Sequence, residues 1–186
     1  MASAATNAGE VDFGPNVVVF TDSCDNIASK INPTHWKYLR DASEFGPGRY
    51  AYLFKPGNYN LVAEVSHYTT VHGLGKSPTD VTINGNVQRR AIRSDGLALN
   101  NFWCGVENLT VNPTSNNNNI MVWAVSQATF LRRVHVKGTL FLSEYDGHKF
   151  PIRYSSGGFV ADCAVDDILA SDTQQQFLTR NTRMRS

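Results

Sequence analysis

"DVTINGNVQRR", residues 80–90, decides how the chain is read. Val81, Ile83 and Val87 are spaced to face a core, while Thr82, Asn84 and Asn86 alternate with them towards solvent. The run reads as a short strand that stops at Gly85. Just upstream, "YTTVHGLG" (68–75) has the same form, a short β-rich run closed by glycine. A chain that writes one short strand and then writes it again is building something by repetition.

The repetition is clearer downstream. VENLTV (106–111), LRRVHV (131–136) and VADCAV (160–165) share one pattern, with apolar residues at the first, fourth and sixth places. Their starts are 25 and 29 residues apart. FLTRNT (177–182) reads as a weaker fourth copy. A second echo links SQATFLRR (126–133) with TQQQFLTR (173–180). Short similar strands at such intervals indicate stacked coils, because one coil alone cannot bury its apolar residues and a stack can. The competing fold is an antiparallel sandwich, which would favour hairpin turns. Asn84-Gly85 is the one Asn-Gly step, and two-residue turns are otherwise scarce. The pattern therefore predicts an all-β fold, a right-handed parallel β-helix. Before it, Asp25 or Ser23 can cap a short N-terminal helix carrying Ile27 and Ile31, interrupted at Pro33. Residues 1–13 read as a flexible lead-in and 14–186 as a single domain.

Composition narrows the function. The chain has 186 residues, 41% hydrophobic and 18% charged, with a net charge of +1. That balance gives no field directed at nucleic acid or an anionic membrane. The basic groups Gln88-Arg89-Arg90, Arg132-Arg133 and Arg180, Arg183, Arg185 read as solvated surface. Cys24, Cys104 and Cys163 are too few and too far apart for a zinc site or a disulfide framework, and read as buried thiols. No stretch reaches the roughly 20 apolar residues of a membrane span. The start, "MASAATNAGEVDFG", lacks the basic and apolar regions of a signal peptide. Gly73 and Gly75 do not form a phosphate loop, and no histidine pair has metal-binding spacing.

Taken in order, "PNVVVF" (15–20), "FGPGRYAYLFKPGNYN" (45–60), "YTTVHGLGKSPTDVTINGNV" (68–87), "NFWCGVENLTVNP" (101–113), "MVWAVSQATFLRRVHV" (121–136), "SGGFVADCAVDD" (156–167) and "TQQQFLTRN" (173–181) resemble a pectate-lyase-like β-helix family. Its members are secreted by actinobacteria and fungi and are similar in build to β-helical glucanases. Some carry an adenylyl cyclase label, for which this sequence shows no paired metal-binding carboxylates. The resemblance implies a secreted protein acting on a polysaccharide, a glucan above all. It also implies that the chain is the N-terminal part of a longer enzyme. An uncapped last coil would then favour self-association.

A glycosidase of this build needs two carboxylates, one as acid and one as base or nucleophile. Asp162, Asp166 and Asp167 are the catalytic candidates, set within and just after one repeat. Turn-forming aspartates give the same pattern. Tyr145, Asp146, His148 and Tyr154, in the loop before that repeat, are candidate substrate-binding residues, with Trp36, Trp103, Trp123 and Phe150 as further aromatics. Trp123 reads as core. Glycoside hydrolysis needs no cofactor. A lyase would instead use Ca²⁺ with a basic residue such as Arg132, Arg133 or Arg153. A glycan-binding β-helix without catalysis, or an inactive fragment, is the alternative.

Overall fold

The computed structural model describes residues 12–31, 45–91, 98–114, 118–144, 154–171 and 173–185. Trp36, Pro33, Tyr145, Asp146, His148, Phe150, Arg153 and Asp172 fall outside them. The strands are β1 (Val17–Phe20), β2 (Tyr50–Phe54), β3 (Gly57–Glu64), β4 (Thr69–Gly73), β5 (Val81–Gln88), β6 (Cys104–Pro113) and β7 (Ile120–Val122). Then come β8 (Phe130–Val136), β9 (Thr139–Phe141), β10 (Ser155–Ala161), β11 (Ala164–Val165), β12 (Leu169–Ala170), β13 (Gln174–Arg180) and β14 (Arg183–Met184). Residues 27–31 are helical and place Ile27 and Ile31 in the same core as Phe20.

Strand pairing among the described residues is parallel throughout, in an eleven-stranded and a three-stranded sheet. The larger sheet has the path β1-β2-β4-β6-β8-β10-β13. Its second part is β3, β5, the far half of β6 and β8, β11 and β14. The third group is β7-β9-β12. Each stretch of chain thus lies in register on the one before it.

The three strong repeats stack as their patterns align. Val106 pairs with Leu131 and Leu131 with Val160, while Val111, Val136 and Val165 form a second row. Tyr52, Val71, Val106, Leu131 and Val160 are each 1% exposed or less. Burying one such aliphatic side chain stabilises by roughly 1.5–3 kcal/mol relative to leaving it in water, so these rows hold the stack. Trp123 is fully buried in the same core.

The weak fourth copy is displaced. Thr179, not Phe177, pairs with Val160, and Phe177 stands opposite Gly158. The two-residue slip has a packing reason. A Cβ on Gly158 would lie 2.6 Å from the Phe177 ring, and one on Gly105 would lie 2.3 Å from Phe130. Each phenylalanine is laid over a glycine of the preceding rung, which is the physical content of the SQATF/TQQQF echo. Leu178 and Met184 on the last described strands are 61% and 40% exposed.

Two expectations for 80–90 are corrected. The strand does not stop at Gly85: β5 runs on to Gln88, with Gly85 at φ 140°. Leu61 O approaches to 2.0 Å of where a Cβ would stand, so only glycine fits. Asn86 is fully buried, and its Nδ2 donates to Ile120 O at 2.8 Å. Val87 stays in the core with Val81 and Ile83, while the opposite face is covered there too, so Asn86 and Gln88 are buried as well.

Arg89 is the larger correction. It is not solvated; its exposure is 0%. Its backbone bridges to Trp123, which carries the side chain into the interior. The guanidinium donates to Val65 O at 2.8 Å and Asn101 Oδ1 at 3.0 Å. Asn101 in turn donates to Arg90 O and Ala124 O. Burial lowers the Arg89 pKa from the usual guanidinium value. Arg90 lies at the surface of this network and binds Glu144, whose Oε2 also accepts from Ala91 N at 2.5 Å. Cys104 and Cys163 are buried free thiols, both pushed up to about 11 by burial. Cys24 is half-buried.

Candidate functional site

Two corners of the stack are built from residues with positive φ. Asn108, Arg133, Asp162 and Asn181, at φ 56°, 52°, 54° and 48°, occupy successive rungs of one corner. Here the side chains justify the backbone. Asn108 Nδ2 donates to Gly73 O at 2.9 Å and Gly75 O at 2.7 Å, and Arg133 Nε donates to Asn108 Oδ1 at 3.2 Å. These polar side chains tie the left-handed corner to the neighbouring rungs.

Asp162 belongs to this corner, where it accepts from Asn181 Nδ2 at 3.2 Å and has Arg180 at 3.7 Å. Asp166 lies just beyond β11, its Oδ1 2.7 Å from His135 Nε2. Asp167 accepts from Thr139 Oγ1 at 3.3 Å. The three candidate carboxylates thus engage three different neighbours. Among the described residues, no three His, Cys, Asp or Glu side chains converge as a metal site requires. Tyr154 is 48% exposed, just before β10. Its companions in the sequence, Tyr145, Asp146 and His148, lie outside the described residues.

Between the Asn108 corner and the outer face of the sheet runs an open groove of about 590 Å³. His72, Glu107 and Arg132 occupy one outward row across β4, β6 and β8. Glu107 Oε2 lies 3.4 Å from His72 Nδ1, and its Oε1 accepts from Arg132. Burial lowers the His72 pKa, and Glu107 opposes that shift. Lys76 and Arg133 complete a polar wall. Engagement of Glu107 on both oxygens makes the row a charge-balanced brace.

The other corner is different in kind. Pairing of Thr69 with Cys104 places Tyr68 beside Trp103. Pairing of Gly105 with Phe130 places Trp103 beside Ala128, and the row continues through Gly157 to Gln176. Tyr68, Trp103, Ala128, Gly157 and Gln176 have φ of 54°, 49°, 57°, 89° and 55°. Positive φ is an outlier for bulky aromatics. The Tyr68 and Trp103 rings stack at 5.0 Å and 13°, and the Arg49 guanidinium lies 3.3 Å from the centre of the Tyr68 ring. Phe102 tilts against Trp103 at 5.6 Å. Trp103 is still 42% exposed. Arg49 and Tyr68 escaped the reading of the sequence. The available signal was positional, since YTTVHG and WCGVEN align once the rungs do.

A stack of parallel strands with an open outer groove and an exposed aromatic corner defines a class of surface suited to extended ligands. The comparisons give that class a relative. No protein-family model matches the chain. An exo-beta-1,3-glucanase of Streptomyces sp. (strain SirexAA-E / ActE) is 42% identical over 182 residues, covering 97% of this chain and 28% of the relative. The solved structure of sacteLam55A from Streptomyces sp. SirexAA-E matches with a TM-score of 0.81 and 41% identity, over 92% of this chain and 30% of that one. A glutamate-to-alanine variant of sacteLam55A in complex with glucose also gives 0.81, with 43% identity over 92% and 29%. The chain is similar in sequence and fold to a segment of a glucanase, and spans less than a third of its length.

Proposed function

We propose that the chain is the part of a β-1,3-glucan hydrolase that forms a right-handed parallel β-helix of the pectate-lyase-like kind, acting outside the cell. The observation that carries this reading is the 42% identity running through 97% of the chain. Continuous parallel pairing from β1 to β13 supports the coiled architecture.

Hydrolysis of a glycosidic bond uses one carboxylic acid to protonate the leaving oxygen and a second carboxylate to activate water or attack the sugar. Asp162, Asp166 and Asp167 are this chain's candidates. Asp166 is the candidate base, because His135 Nε2 lies 2.7 Å from its Oδ1 and orients the carboxylate. The reaction as proposed draws on no cofactor. Binding without cleavage is favoured by one observation: each of the three aspartates is already held by a different neighbour.

Incubation with a soluble β-1,3-glucan separates the two. Release of new reducing ends, lost in Asp166→Asn, is the expected result for a hydrolase. Binding with no new ends, or undiminished release by Asp162→Asn, Asp166→Asn and Asp167→Asn alike, removes the catalytic assignment.

A further inference from the structure

The stacked corner keeps two bulky aromatics where the backbone would prefer glycine or asparagine. Tyr68 and Trp103 sit at φ 54° and 49°. The neighbouring corner meets the same geometry with Asn108, Asp162 and Asn181, whose short side chains bond to adjacent rungs and so offset the strain. Trp103 has no such compensation from burial, being 42% exposed. A strained, exposed, rigidly backed indole points to a role outside folding.

The surroundings say what it can hold. Tyr68 covers one face of the indole, and Arg49 clamps Tyr68 from beyond. Towards the next rungs the row carries Ala128 and then Gly157 before Gln176. Two successive side chains are therefore a methyl group and a hydrogen. Rungs are about 4.8 Å apart, so Trp103 and Gln176 stand about 14 Å apart along the row. That notch takes a flat, uncharged ring against the exposed part of the indole. Aromatic π-faces carry negative charge density and attract the slightly positive axial C–H bonds of a pyranose.

We propose that Trp103, backed by Tyr68 and Arg49, is a glycan subsite that stacks one glucose ring of a β-1,3-linked chain, an assignment that rests on the glucan reading above. The strain makes the test clean. Trp103→Gly removes the platform and relaxes the backbone, so the fold is retained. Calorimetric titration of the full chain with a β-1,3-linked glucose hexamer, alongside thermal unfolding, reads both properties. The expected result is at least a tenfold loss of affinity in Trp103→Gly with no fall in Tm, and substantial retention in Trp103→Phe. Equal affinity of wild type and Trp103→Gly overturns the subsite and leaves the glucan reading standing. A fall in Tm in Trp103→Gly overturns it too, since the indole would then serve the fold. Failure of the wild-type chain to bind the hexamer removes both.

Discussion

Arg89-Arg90, just after β5, and Arg132-Arg133, within β8, are the same dipeptide, and their fates are opposite. Arg132 is 48% exposed at its side chain and reaches Glu107 on the outer face of the sheet. Arg89 is wholly buried and bonds to Val65 O and Asn101 Oδ1. Composition does not separate them; position on the rung does. Arg132 follows the inward Leu131, so alternation turns it outward. Arg89 keeps the phase of Val81, Ile83 and Val87, so alternation turns it inward, next to Trp123.

The contrast is most open to attack at Arg89. Arg89→Ala leaves two buried acceptors without their donor and opens a cavity. The expected loss is about 3 kcal/mol or more, read from denaturant unfolding. A loss below about 1 kcal/mol would mean that the guanidinium is not interior.

Arg89 also touches the pH response. His67 is 5% exposed, and its Nε2 lies 2.6 Å from Asn100 O, where the neutral ring donates. Burial, reinforced by the Arg89 charge, lowers its pKa to about 4. The unfolded chain takes up the proton near pH 6.5, whereas the folded chain resists until about pH 4. Stability therefore falls as pH drops through this window and levels off below it, by about 3 kcal/mol for this group. His67→Gln should flatten that slope in urea titrations at stepped pH. An unchanged slope would remove the assignment.

Arg132→Ala probes the exposed member of the pair. An exposed ion pair contributes little, so a loss under about 1 kcal/mol is expected, and less at high salt. A loss matching that of Arg89→Ala would erase the distinction between the two dipeptides.

These contrasts also show what was legible in the sequence. Repetition was legible because apolar spacing is local: Val106, Leu131 and Val160 stack in register as their patterns align. Trp123 was also legible as core, where it is fully buried. Arg89 was misread because its residue type was weighed above its phase, which is that of Val81, Ile83 and Val87. Asn86 was misread because its face is covered by Ile120, far away in the chain. The Phe177 slip comes from a phenylalanine seated on Gly158. The Tyr68–Trp103 stack was hidden because it joins residues 35 positions apart and exists only once β4 and β6 are in register.

Register is thus the claim on which the rest depends, and cross-linking measures it directly. Glu107 and Arg132 are paired across β6 and β8. Neighbouring parallel strands lie about 4.8 Å apart, within disulfide reach. With Glu107→Cys and Arg132→Cys introduced together, peptide mapping by mass spectrometry should find the 107–132 disulfide formed under mild oxidation, with cooperative unfolding retained. Absence of that bond, or more complete bonding in the Glu107→Cys, His135→Cys double variant, would contradict the stacked parallel account.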